Sequence, residues 1–281
     1  MTDSSTLMVR LTAGAPDEAL LAFTADLATR MKIGRVIGIS ASQPVVFYGS
    51  PDAYVPPQLV DWDRAQIDKE LKQVESAFRS ALDGKVPAVE WRSSILDYGS
   101  IVDFVAREMR SADLLVSPAA AAAGTVFDRT RDVDIADLAL RIGKPILVVG
   151  SGVRHLDLRS AVIAWKDSKE ARRAVQDSLP LLALADRITV VEVTSDDSVA
   201  AAEARTADVA RWLTRHGLSA SSRVDRSEGN DAAQLAAIVR RLGAGLLVGG
   251  AYGHARLREW VLGGVTRELL LRPVGASLVS H

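Results

Sequence analysis

Short runs rich in β-branched residues alternate with longer stretches of helical periodicity along the whole chain, and this alternation is completed twice. Such an order is typical of βαβ units, in which helices connect parallel strands. Within the stretch Asp63–Leu82, the apolar residues Ile67, Leu71, Val74 and Phe78 fall at positions i, i+4, i+7 and i+11 and form one stripe on a helix. The pattern predicts an α/β fold in which parallel sheets are covered by helices.

Each half of the chain is predicted to contain five strands and four helices. The strands of the first half are Leu7–Leu11, Arg35–Ile39, Ala88–Arg92, Leu114–Val116 and Ile146–Val149, and its helices are Glu18–Met31, Asp63–Leu82, Ile101–Arg110 and Ile135–Ile142. The strands of the second half are Ala161–Trp165, Ile188–Val193, Leu218–Val224, Leu246–Val248 and Val274–Val279, and its helices are Ser168–Ala185, Val199–His216, Asp231–Leu242 and Gly264–Leu271.

The two halves also match in local sequence. Ser111–Val116 corresponds to Gly243–Val248, and in both segments a small residue precedes an apolar strand. A chain of 281 residues is long for one average domain and comfortable for two. We therefore predict a duplicated domain, with domains at 1–150 and 157–281 and a boundary within Gly150–Arg159.

Composition limits the classes of function. The net charge is −1, so no overall positive field attracts nucleic acid or an anionic membrane. The chain has no cysteine, which excludes disulfides, thiolate metal sites and cysteine nucleophiles. Met1–Ser5 lacks the features of a signal peptide, and no uncharged apolar run is long enough to span a membrane. We expect a cytoplasmic protein whose partners include neither nucleic acid nor membrane.

A glycine-rich stretch follows the predicted strand Leu246–Val248. Its glycines are Gly250, Gly253, Gly263 and Gly264, and the spacing is that of a glycine, two residues, a glycine, nine residues and a further glycine. Glycines at such positions present no Cβ to a ligand, and free amides at the start of the next helix favour an anion. The carboxyl end of the sheet is the usual binding edge of open α/β folds.

This stretch closely resembles the signature of the universal stress protein family. Arg211–Gly217 also looks like one of the family's helices, and the terminal Ser280-His281 looks like the end of its proteobacterial members. The resemblance implies two tandem, doubly wound, five-stranded parallel-sheet domains of the adenine nucleotide alpha hydrolase-like type. It further implies an intramolecular pseudo-dimer that pairs through the last strands, and it leaves a homodimer open.

In the nucleotide-binding members of the family, the glycine loop holds the phosphates of ATP. By that resemblance the ligand is a nucleotide or another phosphate-bearing molecule, with ATP and Mg²⁺ as the cofactors. The nucleotide-binding candidates are Gly250, Gly253, Gly263, Gly264, Val265 and Thr266, with Lys166, Val193 and His254 as secondary candidates.

The chain departs from the family pattern in three ways. Gly264 replaces the Ser or Thr that follows the third motif glycine, although Thr266 offers a hydroxyl two residues later. Lys166 stands where binding members carry an acidic residue, and a lysine cannot accept hydrogen bonds. In the first half the equivalent position is Thr12, and Ser117–Gly124 contains no paired glycines. The first domain is therefore predicted to have a degenerate loop.

Three functions remain open on these residues. The first is a stress-response protein whose C-terminal domain binds ATP or a related anion without rapid turnover. The second is a scaffold or interaction protein in which both loops are degenerate. The third is a phosphate-ester hydrolase, which is disfavoured because no general base accompanies the loop. We expect no catalytic residues and no metal ligands; Asp132, Asp134 and Asp137 complement a helix dipole instead.

Overall fold

The computed structural model describes residues 5–44, 56–119, 133–251, 273 and 275–281 of the chain. The side chain of residue 196 is also outside the description. The chain divides into two compact units, Met1–Ile142 and Gly143–His281. The α/β class predicted from the sequence is confirmed in both units.

The first unit contains a parallel sheet with the strand order β3-β2-β1-β4. Helices connect these strands, and side-chain caps begin two of the helices: Asp17 accepts from the amide of Leu20, and Ser100 accepts from the amide of Asp103. The strands are β1 Thr6–Arg10, β2 Arg35–Ser42, β3 Ala88–Ile95 and β4 Leu114–Pro118. The helices are α1 Glu18–Arg30, α2 Pro57–Leu82, α3 Ile101–Glu108 and α4 Ile135–Ile142.

The second unit contains the strand order β5-β10-β9-β6-β7-β8. All neighbouring strands in it are parallel except β10 and β5, which pair antiparallel, so the last strands of the two sequence halves lie side by side. The strands are β5 Ile146–Val149, β6 Ala161–Ala164, β7 Ile188–Thr194, β8 Ala220–Arg226, β9 Leu246–Gly250 and β10 Ala276–Ser280. The helices are α5 Lys169–Leu182, α6 Val199–Arg215 and α7 Asp231–Arg241.

Strand β5 pairs with β10 and belongs to the second unit, because the chain divides between Ile142 and Gly143. The domain limits drawn from the sequence, 1–150 and 157–281, remain a prediction. The predicted helix Gly264–Leu271 lies outside the described residues.

Equivalent hydrogen bonds confirm the internal repeat. The amide of Asp113 donates to the carbonyl of Thr6 at 2.8 Å, and the amide of Gly245 donates to the carbonyl of Ser160 at 3.1 Å. Each bond lies just before a parallel pair, β1 with β4 and β6 with β9. The predicted match of Ser111–Val116 with Gly243–Val248 therefore joins structurally equivalent strands.

The start of β8 differs from the prediction by two residues. Gly217 has φ +78°, and the amide of Leu218 donates to the carbonyl of Leu213 at 3.2 Å. This bond closes the end of α6 as in a Schellman motif. Leu218 therefore completes the helix end, and the strand begins only at Ala220.

Helix α2 packs its apolar stripe on the sheet, as predicted. Ile67, Leu71, Val74 and Phe78 are all buried. The stripe meets β2 at Gly38, where a Cβ would lie 2.6 Å from Cε3 of Trp91 and 2.9 Å from Cδ1 of Phe78. The Phe78 and Trp91 rings are tilted with centroids 5.5 Å apart, so this glycine makes room for an aromatic pair.

We expect Gly38→Ala to destabilise the first unit by about 1–3 kcal/mol, because a methyl group here overpacks a core that cannot yield easily. Urea denaturation of the full chain measures the loss. In a Trp91→Leu background the same substitution should cost less, since the colliding ring atoms are gone. Equal costs in both backgrounds would show that crowding by Trp91 is not the cause.

Candidate functional site

Each sheet changes the direction of its connections beside its first strand. β1 lies between β2 and β4 in the first unit, and β6 lies between β7 and β9 in the second. Helices leave in opposite directions at such a point, which opens a crevice beyond the carboxyl ends of the two strands. We call this the switch-point crevice of each unit. It is the place where an open α/β sheet most often binds a ligand.

In the first unit two polar side chains occupy the walls of this crevice. Arg10 ends β1 and is only 3% exposed, and its Nε donates to Oγ of Ser117 on β4 at 3.0 Å. Ser117 is fully buried. A guanidinium and a hydroxyl are therefore joined between the carboxyl ends of the two strands.

In the second unit the equivalent positions carry only very small residues. Ala164 ends β6 and is the register partner of Gly249 on β9. Register partners in parallel strands point to the same face, so this wall of the crevice carries one methyl group and one hydrogen. Val193 lies on β7 two residues after Val191, which is the partner of Ala164, so it borders the same face.

Gly250 ends β9, and its surroundings explain why it is a glycine. A Cβ at this position would lie 2.5 Å from the backbone carbon of Glu170 and 2.6 Å from the amide nitrogen of Ala171. The end of β9 therefore packs directly against the backbone at the start of α5. This packing requires glycine whether or not a ligand binds.

The start of α5 satisfies its own amides. Ser168 caps the helix and accepts from the amide of Ala171 at 3.2 Å. Burial of Glu170 raises the pKa of its carboxyl group, but hydrogen bonds from its own amide and from Ser168, with the charge of Lys169, hold that pKa below its ordinary value. A buried carboxylate at a helix start takes the place that an anion would otherwise occupy.

Lys166 follows β6 by two residues and is exposed. Its ammonium makes no hydrogen bond or ion pair with any residue that the structure describes. The neighbouring Asp167 is paired with Arg172. Lys166 is therefore a positive charge at the mouth of the crevice that the described protein groups do not neutralise.

The other predicted site residues lie outside the described residues. These are Gly253, His254, Gly263, Gly264, Val265 and Thr266. Their assignment to a phosphate loop stays a prediction. Among the residues that are described, no group of three or more histidine or acidic side chains is arranged to hold a metal ion.

Sequence reasoning missed three residues of this edge. Arg10 and Ser117 interrupt otherwise apolar strands, and that interruption was the available signal. Trp165 is 9% exposed, and its indole Nε1 is buried without a hydrogen-bond partner within the described part of the chain. Only the folded chain reveals this, because the sequence does not show whether an indole N–H is paired.

Several solved structures share this architecture. A universal stress protein from Archaeoglobus fulgidus aligns with a TM-score of 0.67 at 12% identity, over 99% of both chains. A putative universal stress protein from Pseudomonas aeruginosa aligns with a TM-score of 0.55 at 13% identity, over 99% of this chain and 92% of that one. The cytoplasmic domain of a prokaryotic cation chloride cotransporter aligns with a TM-score of 0.51 at 12% identity, over 98% and 95%.

These alignments cover the whole chain, so the protein has the α/β fold of universal stress proteins. It carries that fold in tandem, as the sequence predicted. No family model and no curated protein sequence matches the chain. Across the described residues, none of the helices is long and apolar enough to cross a membrane.

The bond between Arg10 and Ser117 is testable against a matched serine. We expect Ser117→Ala to destabilise the chain by about 1–3 kcal/mol, because it removes the acceptor of a buried donor. Ser40 is 1% exposed, but its hydroxyl makes no hydrogen bond, so Ser40→Ala should cost much less. Urea denaturation compares the two. Equal losses would show that the Arg10 contact contributes nothing specific.

The carboxylate of Glu170 predicts a dependence of stability on pH. Its pKa is lowered on folding, so its contribution is present above the unfolded pKa of about 4.3 and is lost as pH falls through the folded pKa. We expect Glu170→Gln to lose about 1–3 kcal/mol at pH 7 and progressively less below pH ~4. Urea denaturation across this range measures the difference, with the exposed Glu203→Gln as control. A loss that does not change with pH would contradict this role.

Proposed function

We propose that this is a cytoplasmic stress-response protein whose second unit binds a nucleotide, with ATP and Mg²⁺ as the expected ligands. The ligand would enter the switch-point crevice between β6 and β9, and the segment after Gly250 would hold its phosphates. Gly253, Gly263, Gly264, Val265 and Thr266 are the candidates for those contacts, with His254 beside them. The protein would bind without rapid turnover.

The contrast between the two crevices carries this proposal. In the first unit Arg10 and Ser117 bridge the gap at 3.0 Å. In the second unit Ala164 and Gly249 face each other across the same gap. Because the strands correspond in both units, the difference lies in the side chains. Small side chains in one crevice alone favour binding there and not in the other.

Lys166 supports an anionic ligand in the same place. The residue is exposed at the end of β6, and its ammonium has three donors and no acceptor. ATP fits these observations for two reasons. Its phosphate oxygens accept hydrogen bonds from donors such as an ammonium group, and a molecule of its size requires a crevice lined by small side chains. A Mg²⁺ ion would bridge phosphate oxygens, and the ligand itself would supply most of the coordination.

A second candidate is an interaction protein with no ligand. Two observations favour it: Gly250 is required by packing against α5, and Glu170 already occupies the start of that helix. The cotransporter's cytoplasmic domain has a similar fold. On this account both crevices are closed to ligands, and the protein acts through its surface.

The test of this proposal places the polar pair of the first unit at the equivalent positions of the second unit. The double variant Ala164→Arg, Gly249→Ser places in the second unit the pair that the first unit accommodates. We expect it to fold and to lose the thermal shift and the calorimetric heat that the unmodified chain shows with ATP and Mg²⁺. At a hundredfold excess of ligand over Kd, binding stabilises the chain by about 2.7 kcal/mol.

Ser222→Arg is the matched control, because it adds the same charge on the exposed strand β8 and leaves the crevice unchanged. It should bind as the unmodified chain does. Binding that survives the transplant would place the ligand elsewhere. An unmodified chain that shows no heat and no shift would favour the interaction protein.

A further inference from the structure

Helix α2 of the first unit is longer than α6, which connects the equivalent strands of the second unit. It has 26 residues against 17, and its buried residues begin only at Ile67. Ile67 belongs to an apolar cluster with Ala13, which follows β1, and Ile95, which ends β3. The residues of α2 that precede Ile67 therefore extend past the carboxyl ends of the strands. We call residues 57–66 the overhang of α2.

One side of α2, beginning in the overhang, is exposed and partly apolar. Trp62 is 67% exposed, and Leu59, at the edge of the same side, is 48% exposed. Four exposed residues form a stripe here at positions i, i+4, i+7 and i+11: Gln58, Trp62, Ala65 and Lys69. We call this stripe the outer face of α2. Exposed apolar residues that lie together with a polar rim mark an interaction surface, and tryptophan is among the commonest anchors of such surfaces.

The start of α2 has no side-chain cap. Pro56 precedes the helix and makes no side-chain hydrogen bond to it, and the first turn contains no acidic residue. On the inner side of the helix, Arg64 pairs with Asp97 of the segment after β3, which ties the overhang to the unit. Short helical segments with few tertiary contacts are only marginally stable in water. A partner on the outer face would therefore stabilise the overhang.

The charges along α2 are complementary to those of a second, antiparallel α2. Asp61 and Lys69 make no ion pair with any residue that the structure describes, whereas Asp68 and Lys72 are paired with each other. Asp61 lies four positions before Ala65, and Lys69 lies four positions after it. When two such helices cross antiparallel at Ala65, Asp61 of each copy comes to lie opposite Lys69 of the other. Two-fold symmetry then forms both ion pairs at once.

We infer that the outer face of α2 binds the same face of a second copy of this chain. The helices cross antiparallel near Ala65, whose small side chain leaves room for Trp62 of the other copy. Asp61 and Asp63 flank Trp62 and repel an anionic membrane, so a lipid surface is the less suitable partner. One helix face is smaller than the standard interface of about 800 Å² per partner, so we expect a weak dimer with a dissociation constant in the micromolar range or above.

Sedimentation velocity of the full chain, from micromolar to millimolar concentration, tests this interface. We expect a monomer–dimer equilibrium that Trp62→Ser weakens by roughly tenfold or more, because buried aromatic anchors dominate interface energies. Leu140→Ser on α4 is the matched control, since Leu140 is another exposed apolar residue of the first unit, at 46% exposure. It should leave the dissociation constant unchanged. A chain that stays monomeric throughout, or a dimer that both variants affect equally, would overturn the inference.

Exchange of the two charges tests the antiparallel arrangement. Asp61→Lys and Lys69→Asp should each weaken the dimer, because each places like charges opposite one another in both symmetric pairs. The combined variant should restore the dissociation constant to within roughly threefold of that of the unmodified chain, since the residues are coupled across the interface. Restoration also excludes a simple loss of helix stability, because the combined variant keeps both substitutions. A combined variant that dimerises no better than the single ones would show that this pairing is wrong.

Discussion

The parallel pairing of the first strand with two different neighbours is the constraint on which each unit depends. β1 pairs with β2 and β4, and β6 pairs with β7 and β9. Parallel strands require crossover connections, and these leave the first strand in opposite directions. No helix can then lie across the carboxyl ends of both pairs. The crevice is therefore a consequence of strand order and exists wherever side chains do not fill it.

The two copies of the domain carry different side chains at the switch-point crevice. In the first unit the Nε of a buried guanidinium donates to a buried hydroxyl across the two strands. A buried charge is tolerated only when it is paired or hydrogen-bonded. In the second unit the same two positions are an alanine and a glycine. One duplicated backbone thus carries an arginine and a serine at these positions in one copy and an alanine and a glycine in the other.

Electrostatics reinforces this asymmetry in the second unit. The buried carboxylates of Glu170 and Glu192 are bound by protein donors, and the exposed Asp167 is paired with Arg172. Lys166 is exposed and has no partner among the described residues. Pairing of buried carboxylates lowers their ability to repel a ligand anion, and an exposed ammonium attracts one. Gly250 shows that a motif residue can serve packing at the same edge, since its missing Cβ lets β9 approach α5.

The sequence by itself determined the secondary elements, the duplication and the α/β class. Apolar stripes such as Ile67 to Phe78 and the glycine that ends α6 are local patterns, and local patterns follow from backbone geometry and periodicity. The tertiary structure alone decided that β10 pairs with β5, that Arg10 reaches Ser117 and that Gly250 faces the backbone of Glu170. Each of these contacts joins residues far apart in the chain, so no spacing along the sequence encodes it. Packing of strands and helices brings such residues together, and only their contacts show which side chains meet at the carboxyl ends of the strands.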